Sequence, residues 1–367
     1  MSFLLDNWTY PVAFLVVLSV LIFFHELGHY LVARWNGVRV EVFSIGFGRE
    51  IWGWTDRVGT RWKVGLFPVG GYVKMFGDQD ETSRPSGEVA TMTAEERAVS
   101  FHHKTLGQRA AIVSAGPIAN FLLAVVLFAI IFVVAGKPST PALVGDVRPD
   151  SAAAAAGFKA GDRILRLDGT SVERFEDIVS IVRMNPGKPM EAAVERGGMP
   201  VALTVTPLRT EITDRFGNKH VVGQLGIVGS GQVYLQLGPG SALVAAVGET
   251  WSTVVVTLKA LGQIIAGTRS ADELGGPIRI AKMSGDVAQV GIIPLLMLMA
   301  VLSVNLGLLN LFPVPMLDGG HLLFYAYEAV RGRPLGERAQ EYGFRVGLAL
   351  VLALMVFVTW NDIVQLF

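Results

Sequence analysis

Residues 11–33 read PVAFLVVLSVLIFFHELGHYLVA, 23 residues with a single acid, Glu26. A helix of about 20 apolar residues crosses the hydrocarbon core of a bilayer, so this run is expected to span a membrane. Inside it stands His25-Glu26-Leu27-Gly28-His29. Residues i and i+4 of a helix lie one turn apart on the same face. Two imidazoles so placed can reach one zinc ion at about 2.0–2.1 Å. The glutamate between them can act as general base toward a water whose pKa the metal lowers to about 7. In a soluble helix the pattern can be incidental. Inside a hydrophobic span an ionisable group costs a few kcal/mol, and adjacent polar residues there imply a purpose. The head MSFLLDNWTY has no Lys or Arg and no small-residue cleavage site follows the apolar run, so a retained helix is expected rather than a signal peptide.

Three further apolar runs follow. Residues 110–136 (27 residues) and 287–317 (31 residues) carry no charge, and residues 346–361 form a shorter charge-free run of 16 between Arg345 and Asp362. Together they predict a polytopic α-helical membrane protein of about four transmembrane helices. Hydrophobic residues make up 51% of the 367 and charged residues only 17%, which excludes disorder and argues against a single soluble globule. The 31 basic and 31 acidic residues cancel, so no nucleic-acid partner is expected. There is no cysteine, which removes disulfides and thiol ligands. Eleven Lys and Arg lie in 34–109, and Arg331, Arg333, Arg338 and Arg345 in the link before the last run. The excess of basic residues puts both connections on the cytoplasmic side, with the termini and the long 137–286 region on the opposite side, which in a Gram-negative bacterium is the periplasm.

The organisation expected is an N-terminal transmembrane part, 1–136, with a cytoplasmic-side β-loop region over 38–80. A small α+β domain follows over 138–208, where short strands are broken by Gly and Pro. Residues 209–286 are expected to form a periplasmic linker. Within it, 241–266 is apolar yet carries Glu249 and Lys259, and is expected to lie on the membrane as an amphipathic helix. A C-terminal transmembrane part covers 287–367.

Catalytic zinc takes three protein ligands and one open position. Candidates for the third are Glu41, Glu50, His102, His103, His220, His321 and Asp318. Asp318 stands out because it closes the third apolar run in NLFPVPMLDGG, 310–320. Pro313 and Pro315 break the helix there, and a broken helix at membrane depth is tolerated where it lines a cavity or is buried in protein.

HELGH in the first span and NLFPVPMLDGG after the third resemble the two signatures of the site-2 protease family of intramembrane zinc metalloproteases (M50). FSIGFG (43–48), FPVGGYVKM (67–75), GPIANF (116–121), GGPIRIAK (275–282) and DGGHLL (318–323) are similar to its bacterial regulator-of-sigma-E protease branch. The resemblance implies one Zn²⁺ held by His25, His29 and Asp318, with Glu26 as catalytic base. It implies a substrate-binding role for Asn310 and for a membrane-reentrant β-loop containing Gly70, Gly71, Tyr72, Val73 and Lys74, whose strand edge can capture an extended peptide by β-augmentation. Gly116 and Asn120 lie one turn apart, where a close helix contact is equally expected. AGFKAGDRILRLDGTSV, 156–172, resembles a PDZ domain; one such signature is present where the branch has two in tandem. The implied activity is cleavage of transmembrane segments of single-pass membrane proteins within the lipid bilayer, after trimming by another protease. An anti-sigma factor or a remnant signal peptide would be such a substrate. The alternatives are a non-catalytic PDZ membrane scaffold with a structural metal, which would not need Glu26, and a metal-ion transporter, for which the spans lack further ligands.

Overall fold

The structure, a computed structural model, describes residues 8–78, 91–213, 219–231, 233–268 and 270–364. The expected periplasmic chain ends at 1–7 and 365–367, residues 79 and 80 of the expected β-loop region, and the side chain of His220 lie outside the described residues. Two compact units are present: residues 1–131 with 238–367, and residues 132–237.

The first unit begins with α1, Thr9–Trp35. Its apolar length sustains the helix. Asn36 and Gly37, the latter at φ +69°, end it, with Asn36 Nδ2 donating to the Val32 carbonyl at 2.8 Å. A hairpin follows, β1 (Val40–Thr55) and β2 (Arg61–Met75). It is bent so that Val42–Ile45 of β1 pairs with 61–64 on one side and with 71–74 on the other. After the short α2, Ala94–Val99, comes α3, Leu106–Val134. Thr105 and Gln108 exchange backbone-to-side-chain bonds of 3.1 and 3.4 Å at its start, a capping arrangement that satisfies the first free amides.

The later helices are α4 (Pro239–Ile265), α5 (Pro277–Val290), α6 (Ile292–Asn310), α7 (Asp318–Arg331) and α8 (Glu337–Val364). Among the described residues, five helices are long and apolar enough to cross a membrane: α1, α3, α4, α6 and α8 from Arg338. The expectation of four spans therefore meets five candidates. The extra one is α4, expected on the membrane surface; its 27 residues reach the length of a span despite Glu249 and Lys259. The run 287–317 is not one helix. Gly291, at φ +146°, separates α5 from α6, and Pro313 and Pro315 interrupt the chain before α7. Asp362, near the end of α8, caps α5 by accepting the Gly276 and Arg279 amides at 2.9 and 3.0 Å.

In the second unit, strands 170–171, 163–167, 190–196 and 199–205 form an antiparallel sheet in that order. Met190, Ala192 and Val194 point inward while Glu191 and Ala193 face out, the two-residue period of a half-buried strand. Ile164 and Leu167 pack with Ile178 and Val182 of the helix Phe175–Met184. Residues 209–237 differ from the expected linker. Strand 227–229 pairs with 144–147, and 233–235 with 137–139, so the chain closes the unit beside its own entry. Strands of three residues carry too little alternation to be read from sequence.

Candidate metal centre

The imidazoles of His25 and His29 lie on one face of α1, their Nε2 atoms 3.3 Å apart. Asp318 at the start of α7 meets both: Oδ2 is 3.3 Å from His25 Nε2 and Oδ1 is 3.6 Å from His29 Nε2. These are the described residues that could hold a metal, their ligand atoms all within 4.8 Å of one another. Ligands bound tetrahedrally at about 2.0–2.1 Å sit about 3.3–3.4 Å apart, so the donor set fits zinc in both chemistry and spacing. Asp318 Oδ2 is buried yet accepts no well-formed hydrogen bond, as expected of an oxygen reserved for a cation.

The local sequence explains the convergence. After α6 the chain turns through Pro313, Pro315 and Met316, the last at φ +89°. A Cβ at Gly319 would overlap the carbonyls of Leu311 and Phe312, and one at Gly320 that of Val314. The two glycines let α7 start directly against this loop, which places Asp318 at its first residue. Glu26 is buried on α1, between the two histidines in sequence.

α3 supplies the groups behind the ligands. His29 Nδ1 donates to the Ile112 carbonyl at 2.9 Å, and the Asn120 side-chain amide lies 3.0 Å from His25 Nδ1. An imidazole that gives Nε2 to a metal carries its proton on Nδ1 and needs an acceptor there. Asn120 Oδ1 is buried without a partner; a half-turn of the amide brings that oxygen to His25. Asn120 is held in turn by Ser303 Oγ of α6, which donates to its carbonyl at 2.8 Å. Gly116 lies against the rings. A Cβ there would overlap His29 Nε2 and come within 2.8 Å of His25 Cε1. The sequence offers GPIANF as a match to the protease branch and equally as a helix contact; its place behind the histidines needs the third dimension.

Gly71 of the expected β-loop comes to the same place. A Cβ on it would meet Ile22 Cγ2 at 2.6 Å and Glu26 Cγ at 3.0 Å. Gly70 packs on the Phe47 ring, Tyr72 and Val73 are buried, and Lys74 reaches Glu41 at 3.5 Å. Asn310 is half-buried as the last residue of α6. The other third-ligand candidates are engaged elsewhere: Glu41 with Arg39 and Lys74, Glu50 with Arg61, His102 with Asp78, and His321 against the Phe344 ring. His103 is exposed.

The model of Peptidase family M50 matches residues 13–354. The chain belongs to that family. It is a site-2-type zinc metalloprotease and a polytopic membrane protein. A conjecturally named zinc metalloprotease of Agrobacterium fabrum is 50% identical over 97% of this chain and 96% of its own length. The metalloprotease MmpA of Caulobacter vibrioides is 41% identical over 96% and 94%. The regulator of sigma-E protease RseP of Escherichia coli is 34% identical over 96% and 98%, in an alignment of 456 positions. That alignment is longer than the 367 residues here, so the Escherichia coli protein holds residues with no counterpart in this chain. Among solved structures, the PDZ domain of an SdrC-like protein of Listeria monocytogenes is 19% identical over 24% of this chain and 87% of its own, with a TM-score of 0.20.

Proposed function

We propose that this M50 peptidase cuts transmembrane segments of single-pass membrane proteins inside the bilayer, in regulated intramembrane proteolysis. The observation that carries the proposal is the meeting of Asp318 with His25 and His29 of α1, a helix apolar enough to span a membrane that also carries the buried Glu26. His25, His29 and Asp318 would hold one zinc ion. When bound, zinc supplies a Lewis acid that acidifies water and polarises a carbonyl.

The chain's own groups do the rest. Glu26 takes a proton from the attacking water, whose oxygen bonds to the peptide carbonyl carbon. Glu26 then hands the proton to the departing amide nitrogen as the C–N bond breaks. A substrate helix must unwind first, because its amides are bonded within the helix and shielded. The edge of β2 at Gly70, Gly71, Tyr72, Val73 and Lys74 holds the freed strand beside Glu26, and Asn310 binds the substrate backbone from the end of α6. The buried Ile112 carbonyl and Asn120 amide keep the imidazoles oriented.

The protein works in a bacterial inner membrane, its termini and the PDZ-like unit periplasmic and its active site toward the cytoplasm. The single PDZ-like unit passes substrates already shortened by another protease, such as an anti-sigma factor or a remnant signal peptide. Glu26→Gln should reduce cleavage of a transmembrane reporter by about 10²–10⁴-fold with zinc content unchanged. Wild-type turnover in that variant would remove Glu26 as the base.

A further inference from the structure

The outer edge of β2 is short, and one buried side chain ends it. The bent hairpin places the stretches in the order 50–55, 61–65, 40–45 and 71–75, so 71–75 is an outer strand. Each of Gly71, Tyr72, Val73, Lys74 and Met75 has its own partner on β1; the extra residue of the bulge, Glu41, is on β1. Backbone groups therefore alternate regularly along 71–75. The Phe76 amide donates into the sheet, to the Arg39 carbonyl at 2.8 Å. By alternation the N–H and C=O of Gly71, Val73 and Met75 point outward.

At Met75 both outward groups are already taken. Its N–H donates to Asp78 Oδ2 at 2.9 Å, and its carbonyl accepts the Asp78 N–H at 3.1 Å. Asp78 is itself fixed, since Oδ1 meets His102 Nε2 at 2.9 Å and its side chain is wholly buried. One residue on, the Phe76 carbonyl accepts the Phe101 amide at 3.2 Å. Among the described residues nothing bonds the outward groups of Gly71 or Val73. Gly71 is also the residue that touches Glu26.

We infer that Asp78 is a specificity-determining residue: it closes the capture edge at Met75, so an extended substrate is bonded at Gly71 and Val73 alone. This rests on the reading of β2 as the capture strand. An added strand, antiparallel or parallel, then presents two bonded N–H groups two residues apart. The site reads a three-residue backbone window, and further extension on the Met75 side gains no backbone bond.

The test is an N-methyl scan. An Ala/Leu octapeptide hydroxamate, labelled with a fluorophore, is bound to the detergent-solubilised full chain and followed by anisotropy, one amide methylated at a time. Two positions spaced by two should each lose about fivefold or more in affinity, and the rest should change little. Three or more sensitive positions at that spacing would overturn the inference while leaving the capture strand standing. No sensitive position at all would overturn both. Asp78→Ala frees the Met75 N–H, a donor that a peptide carbonyl can meet, so the unmethylated octapeptide should bind that variant about fivefold tighter than wild type, whereas Asp78→Asn, which keeps an acceptor for Met75, should leave its affinity unchanged. A folded Asp78→Ala chain with wild-type affinity for the octapeptide would remove Asp78 from the role. Should that variant fail to fold, the wild-type scan decides.

Discussion

Two carboxylates, one in each unit, differ in how far their charge is met. Asp162 in the β-rich unit is wholly buried and paired end-on with Arg196, Nε to Oδ1 at 2.7 Å and Nη2 to Oδ2 at 2.8 Å. The Lys159 amide adds a third bond at 2.8 Å. The Arg196 guanidinium holds this carboxyl below the usual aspartate range. Asp318 is 17% exposed and meets two imidazoles whose other nitrogens are committed to Ile112 and Asn120. One of its oxygens has no proper donor. A bidentate arginine completes the first carboxylate as a structural pair. The second is left short of positive charge, which a divalent cation would supply. An incompletely satisfied acid marks the functional site better than burial does.

The comparison breaks most sharply at Gly116. Gly116→Ala puts a methyl group onto His29 Nε2 and should abolish zinc binding and cleavage while the helices persist by circular dichroism. Full zinc by mass spectrometry would mean that the rings are not where they are described. Asn120→Leu removes the acceptor behind His25 and should weaken zinc binding about 10–100-fold, read by chelator competition. Affinity equal to wild type would reduce Asn120 to a packing residue.

The smallest effect concerns Asp162. Its folded pKa is depressed, so its contribution to stability is present above the unfolded value of about 3.9 and is lost as pH falls through the folded value. Hydrogen exchange in 157–168 of the full chain should quicken on acidification into that range. Asp162→Asn should exchange faster at neutral pH with a flatter acid dependence. An unaltered acid profile in the variant would assign the loss to other groups.

Much of the site was legible in the sequence because its chemistry is local. The spacing of His25, Glu26 and His29 stays on one helix face wherever that helix goes, and Pro313, Pro315, Gly319 and Gly320 announce a break around Asp318. For Asn120 and Gly116 the sequence offers a family resemblance and a helix contact but not their place behind the rings, because a hydrogen bond to a ring 95 residues away leaves no spacing rule. The same holds for Asp78, whose meaning depends on which way the Met75 amide points. On the fold side, composition alone leaves α4 open between surface and span, because Glu249 and Lys259 argue for the one and its 27 residues reach the length of the other. The strands at 227–229 and 233–235 were missed because pairing with the start of the unit, not their own pattern, makes them strands.

His25, His29 and Asp318 are proposed to share one zinc ion. X-ray absorption at the zinc edge, on the purified full chain and on Asp318→Asn, reads that sharing out. One zinc per chain with scattering from two imidazoles is expected in the wild type, and a large loss of zinc in the variant. An undiminished zinc content with the same coordination shell in Asp318→Asn, or a wild-type shell without two imidazoles, would contradict it.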